Sequence, residues 1–156
     1  MNPDGRQCRC GKNGCLETYV SATGIVKTVS ELLAVRREAS LLRFISYSDI
    51  TSKLIFELAK EGDVIALAAF DRTARILGMK LADAVAHTSP EAIFITGGMS
   101  MAGNILLKPT RQYLDAFLFK AYGGTVKLML SGLEQGKSAI LGAAALIWSE
   151  LDSRLK

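Results

Sequence analysis

Hydrophobic residues recur every three or four positions along most of the chain, so the sequence predicts a mainly helical protein. A helix is expected from about Leu16 to Arg37, with Val20, Ile25, Val29, Leu32 and Leu33 on its apolar side. A second helical stretch runs from about Glu38 to Ile45. Ser48-Asp49 offer N-caps for a helix through Leu54, Leu58 and Ala59, and Glu61-Gly62-Asp63 reads as a stop followed by a new cap. The clearest pattern spans Val64 to His87, where Leu67, Phe70, Ala74, Leu77, Leu81 and Val85 make one stripe. Arg72, Arg75, Lys80 and Asp83 sit mostly off that stripe. Gly78 costs a helix about 1 kcal/mol relative to alanine, so its expected use is close packing against another helix.

The period changes after Thr88-Ser89-Pro90. Ala92–Thr96 is a short buried-strand candidate that runs straight into Gly97-Gly98. Pro109 suits the first position of a helix through Tyr113, Leu114 and Phe117, which Gly123-Gly124 ends. Val126–Leu130 is a second strand, and a last helix rich in small residues runs from Ser138 to about Leu151. The fold class is therefore α/β, predominantly helical, with a small and incomplete sheet. Two strands alone make a poor sheet, since sheets covered on both faces normally have several.

Composition adds mainly exclusions. The chain has 156 residues, of which 49% are hydrophobic and 22% charged, enough for one domain with a real core. A net charge of +4 is mild, and the only adjacent pair of basic residues is Arg36-Arg37, so no nucleic-acid face is expected. No apolar run reaches the length of a membrane span, and the polar start has no secretory character, which makes the cytoplasm the expected location.

The three cysteines change the picture. Cys8, Cys10 and Cys15 fall within eight residues, an odd and clustered set that argues against a disulfide framework and for metal ligation or redox chemistry. The absence of a Cys-x-x-Cys spacing weighs against redox. Zinc favours thiolate ligands in a tetrahedron, and Gly11 and Gly14 let the chain turn back toward the first two cysteines. Three free thiols in a loop is the alternative. A second candidate is Ile93–Gly103, where a strand meets a glycine pair ahead of helices. Such glycines allow a ligand close to the backbone, although the pattern matches neither Walker A nor G-x-G-x-x-G and also suits a tight turn.

Pro3-Asp4-Gly5-Arg6-Gln7-Cys8-Arg9-Cys10-Gly11-Lys12-Asn13-Gly14-Cys15-Leu16-Glu17, followed by Ser21 and Ile25, resembles the signature of the ROK family of sugar kinases and repressors. The segment Ile93-Phe94-Ile95-Thr96-Gly97-Gly98, a further glycine, then Leu106-Leu107-x-Pro109 is similar to the adenosine-side motif of ROK kinases and of the wider sugar kinase/Hsp70/actin superfamily. Ser138–Ala145 resembles the family's final helix, its small residues read as close packing rather than ligand contacts. The resemblance covers nearly the whole chain. It implies the C-terminal part of an actin-like ATPase (ribonuclease H-like) fold, with residues 1–17 as the zinc loop, residues 92–103 as the nucleotide loop, and no N-terminal domain in these 156 residues.

The resemblance also implies roles for single residues. Cys8, Cys10 and Cys15 are expected to bind a structural zinc, Glu17 to accept hydrogen bonds from sugar hydroxyls, and Gly97, Gly98 and Met99 to line the nucleotide pocket. A carboxylate suits a vicinal diol, although Glu17 is equally at home in the first turn of a helix. The family's fourth zinc ligand is a histidine upstream of the cysteines, and none precedes Cys8. The site is expected to be incomplete, filled by water, a neighbouring molecule or His87, or else to lose its metal.

The family's Asp-x-Gly-Gly-Thr phosphate loop and catalytic aspartate have no counterpart here, and Asp49, Asp63, Asp71, Asp83 and Asp115 all read as caps or helix surface. No catalytic residue is assigned. The expected activity is ATP- and Mg-dependent phosphorylation of a hexose, glucose above others, by the complete protein, with the isolated chain inactive. The alternatives are the sugar-sensing and dimerisation part of a ROK repressor, or an inactive scaffold. A homo-oligomer, a dimer, is expected because ROK proteins commonly pair through this half and an incomplete sheet exposes apolar surface.

Overall fold

α4 (Val64–Thr88) is the axis on which the other helices pack. Asp63 starts it, its carboxylate accepting the amides of Ile65 and Ala66, each at 3.0 Å. The same carboxylate accepts the Ser40 hydroxyl and the Leu41 amide, so one side chain caps α4 and fastens the preceding loop. Ser89 ends the helix in a left-handed conformation, φ 44°. The computed structural model describes residues 2–133 and 136–154, excluding the side chains of Ser138, Ala139, Ser153 and Arg154.

The buried face of α4 is wider than the expected stripe. Phe70, Ala74, Leu77 and Val85 are buried, Leu81 is half-buried, and Leu67 is exposed. Ile65, Ala66, Ala69, Thr73 and Ala82 are buried as well, because helices flank α4 on more than one side. α5 (Asn104–Phe117) lies closest. A β-carbon added at Gly78 would sit 2.7 Å from Tyr113 Cβ and 2.8 Å from the Leu114 amide nitrogen. The helix-packing role expected of Gly78 is therefore observed.

Four helical expectations need correction. The stretch Leu16–Arg37 is not one helix: α1 (Glu17–Val20) stops at Ser21, which is extended, and α2 (Ala22–Val35) begins there. The Ser21 hydroxyl accepts the Gly24 amide at 3.0 Å, a cap that offsets the break. Glu38–Ile45 holds only a 3-10 turn over Leu41–Phe44, capped by Ser40. Thr51 rather than Ser48-Asp49 caps α3 (Ser52–Lys60), because Tyr47–Asp49 form their own 3-10 turn. Pro109 lies inside α5, not at its start, since Gly103 at φ 53° already supplies the break and its carbonyl accepts the first amides.

β1 (Ala92–Ile95) and β2 (Lys127–Leu130) pair in parallel, in the register Ala92↔Lys127 to Ile95↔Leu130. The small sheet expected from the pattern is present, and Phe94 is exposed on it. Two buried clusters hold the fold. The larger joins Ile25, Val29 and Leu32 of α2 to Ile55 and Leu58 of α3, the first half of α4, and Ala102 and Leu106 at the start of α5. The smaller joins Ala82, Val85, Leu114 and Val126 beside the strands. Each fully buried aliphatic side chain contributes about 1.5–3 kcal/mol. α6 (Lys137–Arg154) differs: Ile140, Leu141, Leu146, Ile147, Trp148 and Leu151 are all exposed, and so are the alanines between them. The close packing expected of its small residues is not seen among the described side chains.

Candidate functional site

The cysteine loop is a small knuckle. Gln7 and Asn13 form an antiparallel bridge, the Cys8 amide donates to the Lys12 carbonyl at 2.8 Å, and the Gly11 amide donates back to Cys8 at 3.0 Å. Gly14 turns the chain at φ 68°, against the backbone of Asn2, where no β-carbon would fit. The result brings the Cys8, Cys10 and Cys15 sulfurs within 4.8 Å of one another, and Cys10 Sγ to 3.5 Å from Cys15 Sγ. A tetrahedral ion with metal–sulfur bonds of about 2.3 Å needs sulfurs about 3.8 Å apart, so the trio fits a zinc-sized ion with small shifts.

The thiols differ in acidity. The Lys12 backbone amide beside Cys10 lowers its pKa, with the neighbouring thiols adding to the effect. The Cys15 thiol is pushed up to about 11, chiefly by its hydrogen bond to Cys10 and then by Cys8.

Among the described residues no other histidine, cysteine or carboxylate joins the trio at that spacing. His87 does not supply the fourth ligand. It lies at the far end of α4, its Nδ1 2.6 Å from the Asp83 carbonyl. Glu17 comes closer, with Oε2 3.9 Å from Cys8 Sγ, and its side chain is exposed at the first turn of α1. The structure thus places the expected sugar-side carboxylate at the rim of the cysteine loop.

Sequence reasoning passed over the residue that fastens this loop. Arg6 is almost fully buried, its side chain 9% exposed. Its guanidinium donates to Glu31 Oε1 at 2.7 Å, the Thr18 carbonyl at 2.7 Å, the Gly24 carbonyl at 3.0 Å and Thr28 Oγ1 at 2.8 Å. It also lies 4.4 Å from the centroid of the Tyr19 ring. Glu31 is held below the usual carboxylate range, first by its hydrogen bond to Arg6 and further by the charges of Arg6 and Arg72. The available signal was an arginine just before three cysteines in a chain whose basic residues otherwise looked scattered.

The glycine loop is built differently. β1 ends, Gly97 turns at φ 90° with nothing within 4 Å of its would-be β-carbon, and a 3-10 turn follows over Gly98–Ala102. The Ser100 amide and hydroxyl both donate to the Gly97 carbonyl, at 3.0 and 2.6 Å. Met99 and Ala102 pack into the larger core. Gly98 and Met99 line a cavity of about 370 Å³ together with Met101 and Phe70, and α3 closes it with Ser52, Lys53, Phe56 and Glu57. Phe56 meets Phe70 edge-on, ring centroids 6.5 Å apart. A mainly apolar cleft with a lysine and a glutamate at its rim suits a flat ring carrying polar groups. Gly97 is not in its lining, and the α3 residues could not be read from the loop motif because their contribution is tertiary.

The five aspartates set aside above are all engaged elsewhere. Asp63 caps α4, Asp71 accepts the Tyr113 hydroxyl at 3.0 Å, Asp83 pairs with Lys80 and Asp115 with Arg111, while Asp49 accepts the Ser48 hydroxyl.

The parallel strand pair, the helices around α4 and the glycine turn define part of an actin-like ATPase fold. The chain belongs to the ROK family, whose sequence profile matches residues 1–150. It is 35% identical over 155 residues to a glucokinase of Halalkalibacterium halodurans, covering 97% of this chain and 46% of that protein. It is also 31% identical over 147 residues to the DNA-binding transcriptional dual regulator NagC of Escherichia coli, covering 94% of this chain and 35% of that one. Among solved structures, a ROK family glucokinase from Streptomyces griseus in complex with glucose and AMPPNP superposes with a TM-score of 0.79 at 33% identity, over 94% of this chain and 48% of that one. The chain spans about half the length of the glucokinases it matches. Among the described residues no helix is long and apolar enough to cross a membrane.

Proposed function

We propose that these 156 residues form the C-terminal domain of a cytoplasmic, ATP-dependent hexose kinase that acts on glucose. The observation that carries this reading is the cleft beside Gly98 and Met99, a cavity in the ordinary size range for a small-molecule site at the turn leaving a parallel strand. The identity to glucokinases and the likeness to a glucokinase in complex with glucose and AMPPNP support the same substrates here.

Gly97 gives the turn its positive φ, Gly98 and Met99 form one wall for the adenosine moiety, and Phe56 and Phe70 face it. Glu17, exposed at the start of α1, accepts hydrogen bonds from sugar hydroxyls through its two carboxylate oxygens. Cys8, Cys10 and Cys15 hold a structural zinc that neutralises the crowded thiolates and keeps the knuckle closed. Magnesium accompanies ATP as in other phosphoryl transfers. The base that takes the proton from the sugar hydroxyl is assigned to no residue of this chain, since the aspartates considered for it are each held in a structural contact. The functional unit is a homodimer, consistent with the apolar side chains exposed on β1 and α6.

A coupled assay of the purified chain with glucose and MgATP is expected to show no turnover above background. Robust turnover would contradict the assignment of the base to residues outside these 156. A second reading, the sugar-sensing part of a ROK repressor, is favoured by the identity to NagC. Sugar binding with no response to adenine nucleotides would select it, because a sensor has no need of the cleft beside Gly98.

A further inference from the structure

We infer that Arg6 is a positioning residue that presets both the thiol knuckle and the carboxylate of Glu17. The inference rests on the zinc and sugar roles proposed above. Arg6 works from both its side chain and its backbone. The backbone carbonyl accepts the Gly14 amide at 2.8 Å, closing the knuckle one residue before Cys15. The backbone amide donates to the Tyr19 hydroxyl at 2.9 Å, and the guanidinium reaches over the same ring to the Thr18 and Gly24 carbonyls.

Those two carbonyls flank the break at Ser21, where α1 stops and the Ser21 carbonyl accepts the Ile25 amide of α2 at 2.9 Å. The Thr18 carbonyl lies in the last turn of α1, where carbonyls lack intrahelical partners, and a buried guanidinium is well shaped to collect it together with the Gly24 carbonyl in the first turn of α2. Thr28 Oγ1 donates to the Gly24 carbonyl at 3.0 Å while accepting from Arg6, so the hydroxyl is used in both directions. Glu31 neutralises the guanidinium and is shared with Arg72 of α4 at 3.1 Å.

The consequence lies on either side of Arg6. Cys8 is two residues after it, and Glu17 is the residue before Thr18, whose carbonyl it holds. Thr18 in turn donates its hydroxyl to the Cys15 carbonyl at 2.7 Å. One side chain thereby fixes the spacing between the thiols and the start of α1. Lysine cannot substitute, since a single ammonium has three donors and the guanidinium meets four acceptors.

The test measures zinc affinity, by competition with a chromophoric chelator, and amide hydrogen exchange in the metal-free chain. For Arg6→Ala, zinc affinity is expected to fall about 10- to 100-fold, the range for residues that orient metal ligands. The Cys8 and Gly14 amides should exchange faster while those around Leu77 and Leu106 stay protected. Arg6→Lys should regain part of the thermal stability but little of the zinc affinity. Zinc affinity within twofold of wild type in a folded Arg6→Ala protein would overturn the inference, as would exchange that rises equally throughout the chain. If Arg6→Ala does not fold, Tyr19→Phe removes only the hydroxyl that accepts the Arg6 amide. A several-fold loss of zinc affinity is expected there, and wild-type affinity and exchange would overturn the inference. A wild-type chain that binds no zinc while Arg6→Ala still frees the Gly14 amide would sink the zinc reading and leave the positioning role standing.

Discussion

The two loops that carry the chemistry are held by opposite means. The cysteine loop has almost no apolar anchor, and its shape depends on Arg6, on Gly14 against Asn2 and on backbone hydrogen bonds across a seven-residue knuckle. The glycine loop has few polar anchors, and its place is set by Met99, Ala102 and Leu106 in the core and by the close approach of α5 to α4. Directional bonds suit a loop that must hold several ligand atoms at fixed mutual distances. Packing suits a loop that must keep a cleft open while leaving its glycine backbone bare. Each loop should therefore fail under a different kind of substitution.

The largest effect is expected from Cys15→Ser. Losing one of three thiolates should weaken zinc binding about 100-fold or more, with the thermal midpoint of the metal-free chain little changed. A large midpoint loss without metal would mean that the thiols pack rather than bind. Leu106→Ala should do the reverse. Leu106 is 2% exposed, and truncation should cost about 2–5 kcal/mol by denaturant unfolding while zinc affinity holds. Gly78→Val forces a β-carbon against Tyr113 and Leu114 and should cost about 1–3 kcal/mol. Its effect on nucleotide affinity should exceed its effect on zinc, because α5 carries the glycine loop.

The smallest effect concerns Glu31. Its folded pKa lies below the unfolded value, so its pairing with Arg6 and Arg72 stabilises the fold above pH about 4.3. That contribution is lost as pH falls through the folded pKa. Glu31→Gln should therefore lower the thermal midpoint at pH 7 and converge with wild type in acid. The side chain is 41% exposed, so after screening the difference is below about 1 kcal/mol. A gap between the two proteins that widens in acid would contradict the pairing.

Local signals were legible in proportion to how local their causes are. The stop and cap at Glu61-Gly62-Asp63, the span of α4 and the two strands follow from residues within a turn or two, and Gly78 shows its packing role as a glycine inside a helix although its partners Tyr113 and Leu114 lie on α5. The break at Ser21 was missed because the apolar period runs through it, and what stabilises the break includes Arg6, fifteen positions earlier. Pro109 was placed at a helix start because proline favours that position, whereas Gly103 had already begun the helix. The cysteine trio was legible from spacing, while Phe56 and Lys53 of the cleft were not, since α3 meets the glycine loop only through the core.

An amide NMR titration of the chain with MgATP and, separately, with glucose reads the two loops side by side. MgATP is expected to shift Gly98, Met99 and the α3 residues around Phe56 and to leave Cys8–Cys15 unmoved, glucose to shift Glu17 and its neighbours, and Phe56→Ala to abolish only the first response. Nucleotide shifts centred on the cysteine loop, or a nucleotide response unchanged by Phe56→Ala, would contradict that division.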